Sequence, residues 1–291
     1  MIVVLSAAGY TGRRVVAAVA ARGLPVRGMV RDPRAASTVQ AAGATEVVVG
    51  DLRDLTSVAG AMHGVDGVFF AAPRFLPEEA ALSEAVIDLA EQAGARRFVL
   101  SGVYHPSLGE LVNHAAKQRA EARLYTSGLE FTVLQPARFM HGLLLSSRDR
   151  ILSDGVLADA FRAEVAMAYV DYRDVAEVAA LAFGTPDLVG GTFELSAPGQ
   201  PTLHEIATTL SKVLGRPIRA QHVPLSDYAP AACLLTNPYA ADGFRRLRDH
   251  YDRYGFPGGN ALVLRTILGR EPHGFGAAWH AMSDEEKPPR G

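Results

Sequence analysis

The first twelve residues limit what this chain can become more than any other stretch. Ile2-Val3-Val4-Leu5 is an apolar run that gives way at once to small residues. After Gly9 and Gly12 comes Arg13-Arg14-Val15-Val16-Ala17-Ala18-Val19, with apolar residues at helical spacing. A strand, a tight small-residue turn and a helix N-terminus form a phosphate cradle, because the unpaired N–H groups of the first helical turn and the helix dipole face the turn. Gly9 and Gly12 let backbone approach a pyrophosphate and let helix pack on strand. Ser6 stands where a G-x-x-G-x-x-G pattern has its first glycine. Context carries the assignment: the turn follows a predicted strand, opens a predicted helix and heads a βαβ unit.

The alternation continues. Strands are predicted at Val26–Val30, Glu46–Val49, Gly67–Ala72, Arg97–Ser101 and Phe131–Gln135, with helical stretches between them, the clearest at Glu78–Gly94 and Leu111–Ser127. The strands are apolar throughout rather than alternating, which argues a parallel sheet covered on both faces. After Pro136 the rhythm breaks. Met140–Ala163 reads as helix then loop, Val165–Val170 as a strand, and Asp174 as the cap of a helix to Phe183. Thr192–Leu195 reads as a late strand able to rejoin the sheet. Thr202 and Glu205 form a capping box for a helix to Leu214. Helices dominate from Asp227, and Ser283–Gly291 reads as a disordered tail.

These signals define an α/β fold: a doubly wound parallel sheet followed by a mostly helical C-terminal part. The expected division assigns 1–138, with about 170–200 returning to the sheet, to dinucleotide binding. Residues 139–169 and 201–291 then make the second domain.

Composition narrows the partners. A formal net charge of -2 gives no clustered basic charge for nucleic acid or an anionic membrane. No apolar run reaches spanning length. Cys233 is the only cysteine, which excludes an intrachain disulfide and argues against a cysteine-based zinc site. The histidines show no metal spacing, and no G-x-S-x-G elbow supports an esterase. The expectation is a cytoplasmic, soluble monomer or homodimer acting on a small molecule.

Arg31 follows the second strand, where an NAD-specific domain places an acidic residue. A planar guanidinium there suits a 2′-phosphate, so the cofactor is expected to be NADP(H). A solvated arginine beside a helix-starting Asp32 is the plainer reading. Arg13 or Arg14 could add charge at the same terminus. Asp51 and Leu52 would lie beside an adenine, and Ala71, Ala72 and Pro73 end the fourth strand at the switch point where ligands sit in such folds. Short-chain dehydrogenases use Tyr-x-x-x-Lys, and here the lysine matches Lys117 while the tyrosine position is Asn113. An amide cannot serve as an acid; Tyr104, His105 and His114 are the candidate substitutes. Asp171 and Asp174 resemble a carboxylate pair. Trp279, Tyr239, Tyr251 and Tyr254 suit packing better than a pocket.

The landmarks Ala8-Gly9-Tyr10-Thr11-Gly12-Arg13, Val30-Arg31-Asp32-Pro33, Gly50-Asp51-Leu52, Phe98-Val99-Leu100-Ser101 and Lys117-x-x-x-Glu121 occur in order. Ser127 to Pro136, Asp174-Val175-Ala176 and Gly215-Arg216-Pro217 follow. In this the chain resembles the NmrA-like family of atypical short-chain dehydrogenases. The resemblance implies a doubly wound parallel Rossmann sheet with a smaller, mostly helical C-terminal substrate domain, so that 139–169 and 201–291 would be the substrate-binding and lid domain, and NADP(H) as cofactor. It assigns the turn (Ser6, Gly9, Tyr10, Thr11, Gly12) to pyrophosphate, Arg31 to the 2′-phosphate and Lys117 to the nicotinamide ribose. Pro136 to Phe139 would lie near the nicotinamide, and Ser101 completes the cofactor-binding set. Lys117, His114 and Tyr104 are the expected catalytic residues. The family includes quinone reductases, reductases of aromatic natural products and regulators that bind a dinucleotide without turnover. Ser6, Asn113 and Gln135, the last where arginine is common, depart from its pattern. The expected function is NADPH-dependent reduction of a conjugated, quinone-like or aromatic ketone substrate. An NADP(H) sensor, or a non-redox epimerase or cyclase, are the alternatives.

Overall fold

Seven strands form the central sheet in the computed structural model, which describes residues 1–228 and 237–285. The first half runs β1 (Ile2–Val4), α1 (Tyr10–Ala21), β2 (Val26–Val30), a 3-10 turn (Pro33–Ala35), α2 (Ala36–Ala41), β3 (Glu46–Val49) and α3 (Leu55–Met62). It continues with β4 (Gly67–Phe70), α4 (Glu79–Gln92), β5 (Arg97–Ser101), α5 (Val112–Tyr125) and β6 (Glu130–Pro136). Next come β7 (Arg138–Phe139), α6 (Met140–Asp154), β8 (Val156–Asp159), β9 (Tyr169–Val170), α7 (Tyr172–Gly184) and β10 (Gly191–Leu195). The chain ends with α8 (Leu203–Leu214), β11 (Arg219–His222), α9 (Pro238–Tyr254), α10 (Leu262–Leu268) and α11 (Phe275–Glu285).

The sheet order is β10-β6-β5-β4-β1-β2-β3, and the pairings from β3 across to β6 are parallel. The order reverses at β1, which pairs with both β2 and β4, so the crevice of a doubly wound sheet opens at the carboxyl ends of those strands. Central strands are apolar on both faces because helices cover both: Val3, Val4, Phe69, Phe70 and Leu100 are fully enclosed.

The chain divides into two compact units. The first comprises Met1–Pro136 with Tyr172–Glu194; the second comprises Ala137–Asp171 with the described residues from Leu195 onward. In the second, Arg138 holds Asp159 through two hydrogen bonds (2.7 and 3.0 Å) and the Tyr169 hydroxyl at 3.0 Å, under the face of Phe161. Among the described residues no helix is long and apolar enough to cross a membrane.

Several elements depart from expectation. The fourth strand stops at Phe70, leaving Ala71, Ala72 and Pro73 in the following loop. The strand expected over Val165–Val170 is only Tyr169–Val170. α7 begins at Tyr172, so Asp174 lies buried inside its first turn rather than at the cap, where a carboxylate still suits the dipole. Ser283–Glu285 close α11 instead of starting a tail. The rest of that expected tail, and Cys233, lie outside the described residues. The capping box of Thr202 and Glu205 is present, with both reciprocal bonds formed.

Candidate functional site

The opening turn is pinned from both sides. The Leu5 amide donates to the Phe69 carbonyl at 3.1 Å and the Ala7 amide to the Met29 carbonyl at 2.9 Å, so the chain leaving β1 stays between β2 and β4. The Gly9 amide closes the turn on the Ser6 carbonyl at 3.1 Å, and Arg13 makes the first helical bond, to Gly9. Ser6 has φ 60°, the left-handed region a glycine enters without steric cost, so the turn keeps the backbone its missing glycine would supply. A Cβ on Gly12 would lie 2.4 Å from the Ser6 carbonyl oxygen and 2.9 Å from Ala7 Cα. Gly12 is therefore what lets α1 start so close to the turn. On Gly9 a Cβ would meet only the Ser6 oxygen, at 3.4 Å, leaving that backbone open to a ligand.

A cavity of about 280 Å³ opens beside this turn, lined by Ser6, Ala8, Gly9, Met29, Val30, Arg31, Gly50, Asp51, Leu52, Arg53, Pro73, Leu76 and Leu82. Its volume is near the lower limit for small-molecule sites and suits one end of a dinucleotide. Asp32 is engaged by Arg34 at 2.6 Å and caps the 3-10 turn, and those bonds hold its carboxyl below the ordinary value. Arg31, which is exposed, makes no hydrogen bond or ion pair among the described residues, so its fork is available to an anion. Asp51 has two roles: its Oδ1 accepts the Arg53 amide at 3.0 Å, and it forms part of the cavity wall.

The two arginines of α1 separate. Arg14 donates to the Tyr10 carbonyl at 3.0 Å and lies over the rings of Tyr10 and Tyr172. Arg13 stands over Tyr10 with a buried Nε that has no partner. Tyr10 stacks on Tyr172, and the Thr11 hydroxyl bonds to Tyr172.

A second group gathers where β4 and β5 end. Ser101 is buried as the last residue of β5. Lys117 is buried on α5; its Nζ donates to the Ala72 carbonyl at 3.3 Å and pairs with the Glu79 carboxylate. Asn113, one turn earlier, is buried, and its Oδ1 has no hydrogen-bond partner among the described residues. His114 is fully enclosed, with Nδ1 2.9 Å from the His105 carbonyl. A carbonyl only accepts, which assigns the proton to Nδ1. Tyr104 is also buried, and burial, then the Glu194 carboxylate to which it bonds, pushes its hydroxyl up to about 12. It is a weaker acid than free tyrosine. His105 is half-buried, left-handed at φ 56° and 3.5 Å from Glu194. Pro136 ends β6 in the first unit, where its carbonyl accepts the Tyr104 amide at 3.0 Å. Phe139 lies in the second unit, in β7.

Three charged residues escaped the sequence reading. Arg53 lines the cavity and pairs with Glu78 at 3.3 Å. Glu79 gave no signal, since it lies 38 positions from Lys117. Glu121 was visible only as a landmark. It is buried on α5, one turn beyond Lys117, with Oε2 accepting the Gln135 amide at 2.8 Å and Oε1 without a partner among the described residues. Burial, opposed by the bonds from Gln135 and Tyr125, pushes Glu121 up to about 7.

The sheet order, the turn at its switch point and the cavity beside it define a Rossmann-type dinucleotide-binding fold. The chain belongs to the NmrA-like family, whose model matches residues 1–241. It is 30% identical over 251 residues to the NAD(P)H azoreductase of Xenophilus azovorans, covering 85% of this chain and 86% of that one. It is 31% identical over 278 residues to the (4-alkanoyl-5-oxo-2,5-dihydrofuran-3-yl)methyl phosphate reductase of Streptomyces griseus, covering 94% and 95%. Among solved structures, the NADPH complex of an Escherichia coli NADPH-dependent quinone oxidoreductase aligns with TM-score 0.78 at 22% identity, over 97% of this chain and all of that one.

Proposed function

We propose that this protein is an NADPH-dependent oxidoreductase that reduces a small conjugated, quinone-like or aromatic ketone or enone acceptor. The observation that carries the reading is the cavity beside the glycine turn, with Arg31 on its wall and its guanidinium in no hydrogen bond among the described residues. The residues fit the cofactor: an open backbone at Gly9, a helix N-terminus at Tyr10, and a free fork where a 2′-phosphate is met. Lys117 would hold the nicotinamide ribose with its remaining N–H, and Asp51 and Leu52 would flank the adenine. Bound NADPH supplies a hydride. Ala71, Ala72, Pro73, Ser101 and Pro136 would follow it along the sheet edge, and we assign acceptor binding to the second unit, to which Phe139 belongs. The setting is cytoplasmic, as a monomer or homodimer.

The acceptor class follows from the acids. Asn113 has no proton to give at neutral pH, the Tyr104 hydroxyl is pushed up to about 12, and the Nδ1 proton of His114 is committed to a carbonyl. Hydride transfer to a quinone or enone spreads the product anion by delocalisation, so it needs less from a protein acid than reduction of an isolated carbonyl. Relatives named for reducing an azo compound and an unsaturated furanone support this choice. The amide at position 113 favours, as a second reading, a dinucleotide sensor without turnover.

Arg31→Ala tests the cofactor assignment. Losing one charge-assisted phosphate contact is expected to weaken NADPH about 10- to 100-fold while leaving NADH unchanged, read by fluorescence titration. Equal losses for the two cofactors would overturn the role of Arg31.

A further inference from the structure

Glu79 begins α4 with a carboxylate that is 2% exposed, a position rarely given to an acid unless it is paired. Its Oε2 accepts the Phe75 amide at 2.9 Å, and its Oε1 takes the Lys117 ammonium. Phe75 is itself held at φ 61°, in the left-handed region a side chain rarely enters. The loop leaving β4 is thus fastened twice to the same ion pair: at Phe75 through Glu79, and at Ala72 through the second bond of Lys117. A lysine has three N–H donors. Glu79 and Ala72 take two, and one remains.

The surrounding charges are otherwise committed. Glu78 pairs with Arg53, Arg74 stands over the Phe75 ring, and on α5 His114 faces the His105 carbonyl while Glu121 is bonded to Gln135. Glu79 is the one carboxylate partner of Lys117 among the described residues. Burying such a pair gives little net stability, while removing one member strands the other charge.

We propose, on the reading of the site given above, that Glu79 is the positioning residue for Lys117. It holds the buried ammonium fixed to the β4 loop, with one N–H left for the ribose diol of the cofactor. The pair is neutral overall, so Lys117 brings no net positive charge to a neighbouring acid. Its task is to grip the cofactor rather than to acidify a donor, which matches an amide at position 113. In a dehydrogenase with tyrosine there, the lysine lowers the tyrosine's pKa.

Lys117, Lys212 and Lys287 are the chain's only lysines, so side-chain NMR of lysine-labelled protein resolves Lys117 with two internal references. In Glu79→Gln the ammonium loses its carboxylate partner, and the Lys117 side-chain signal is expected to move from its native position while the two reference lysines stay. NADPH affinity of the same variant is expected to fall about fivefold or more below that of the native protein. An unmoved Lys117 signal, or native affinity, would overturn the proposal. Should Glu79→Gln not fold, Glu79→Asp carries the same test, because the shorter acid cannot reach both Phe75 and Lys117; native affinity there is equally fatal. Failure of the native protein to bind NADPH would reject the cofactor reading instead, and the NMR comparison of the free proteins would still judge the pair.

Discussion

The Gly12→Ala protein is expected to lose NADPH binding and about 1–3 kcal/mol of stability, the usual cost of forcing extra volume into a packed site. The atoms in the way are backbone: the Ser6 carbonyl oxygen at 2.4 Å and Ala7 Cα at 2.9 Å from the added carbon. Neither can turn aside as a side chain would. Ser6 already sits at φ 60°, and Leu5 and Ala7 are tied to β4 and β2, so the turn can yield only by breaking those bonds. Gly9→Ala is the informative companion. Its added carbon meets one atom at 3.4 Å, so the fold should survive while the open backbone facing the cavity is partly covered. Thermal unfolding and NADPH fluorescence titration on both variants check this. A Gly12→Ala protein that binds like the native one would refute the geometry of the turn.

The second large effect concerns Glu121. Its carboxyl is pushed up to about 7 in the folded protein, from an ordinary 4.5, because it is buried beside Gln135 without a cation. The folded state therefore holds its proton more tightly than the unfolded chain. The stabilisation this gives is complete below about pH 4.5 and is lost as pH rises through about 7. Glu121→Gln keeps the shape and removes the titration. It is expected to be more stable than the native protein at pH 8, by up to about 3 kcal/mol, with the gain shrinking toward zero at pH 5. Urea unfolding at the two pH values measures the difference, and Glu79, also drawn up by burial, cancels because both proteins contain it. A gain independent of pH would show that the buried carboxyl is not the cause.

The first unit was readable because its signals are local. Apolar runs at Val26–Val30 and Arg97–Ser101 stop at turn residues, and both strands end where the sequence places them. The second unit was harder for a physical reason. β8 pairs with β11, about sixty residues away in the chain, and β11 (Arg-Ala-Gln-His) has no apolar face to announce it. The Val165–Val170 run looked like a strand, but only its last two residues form one, beside Arg138–Phe139, while Met167 makes an isolated bridge to Phe256. The candidate site divides in the same way. Arg31 was singled out from its register with the glycine turn, and it lines the cavity. Asn113 and Gln135 were visible as departures, and the structure gives the second a consequence, because the buried Glu121 is left beside an amide. Glu79 could not be found, since nothing in Pro-Glu-Glu-Ala-Ala marks one glutamate as exposed and the next as the partner of a distant lysine. Spacing along one helix can be read from the sequence; a contact between α4 and α5 comes from tertiary packing.

The central claim is that this chain oxidises NADPH at the expense of a conjugated acceptor. Anaerobic mixing of the protein and NADPH with a quinone, an enone and an aromatic ketone, followed by loss of the reduced nicotinamide absorbance, tests it directly. The account predicts consumption of one NADPH per quinone reduced, with NADH a poorer donor. Tight NADPH binding with no consumption across the panel would contradict it and leave a dinucleotide sensor in its place.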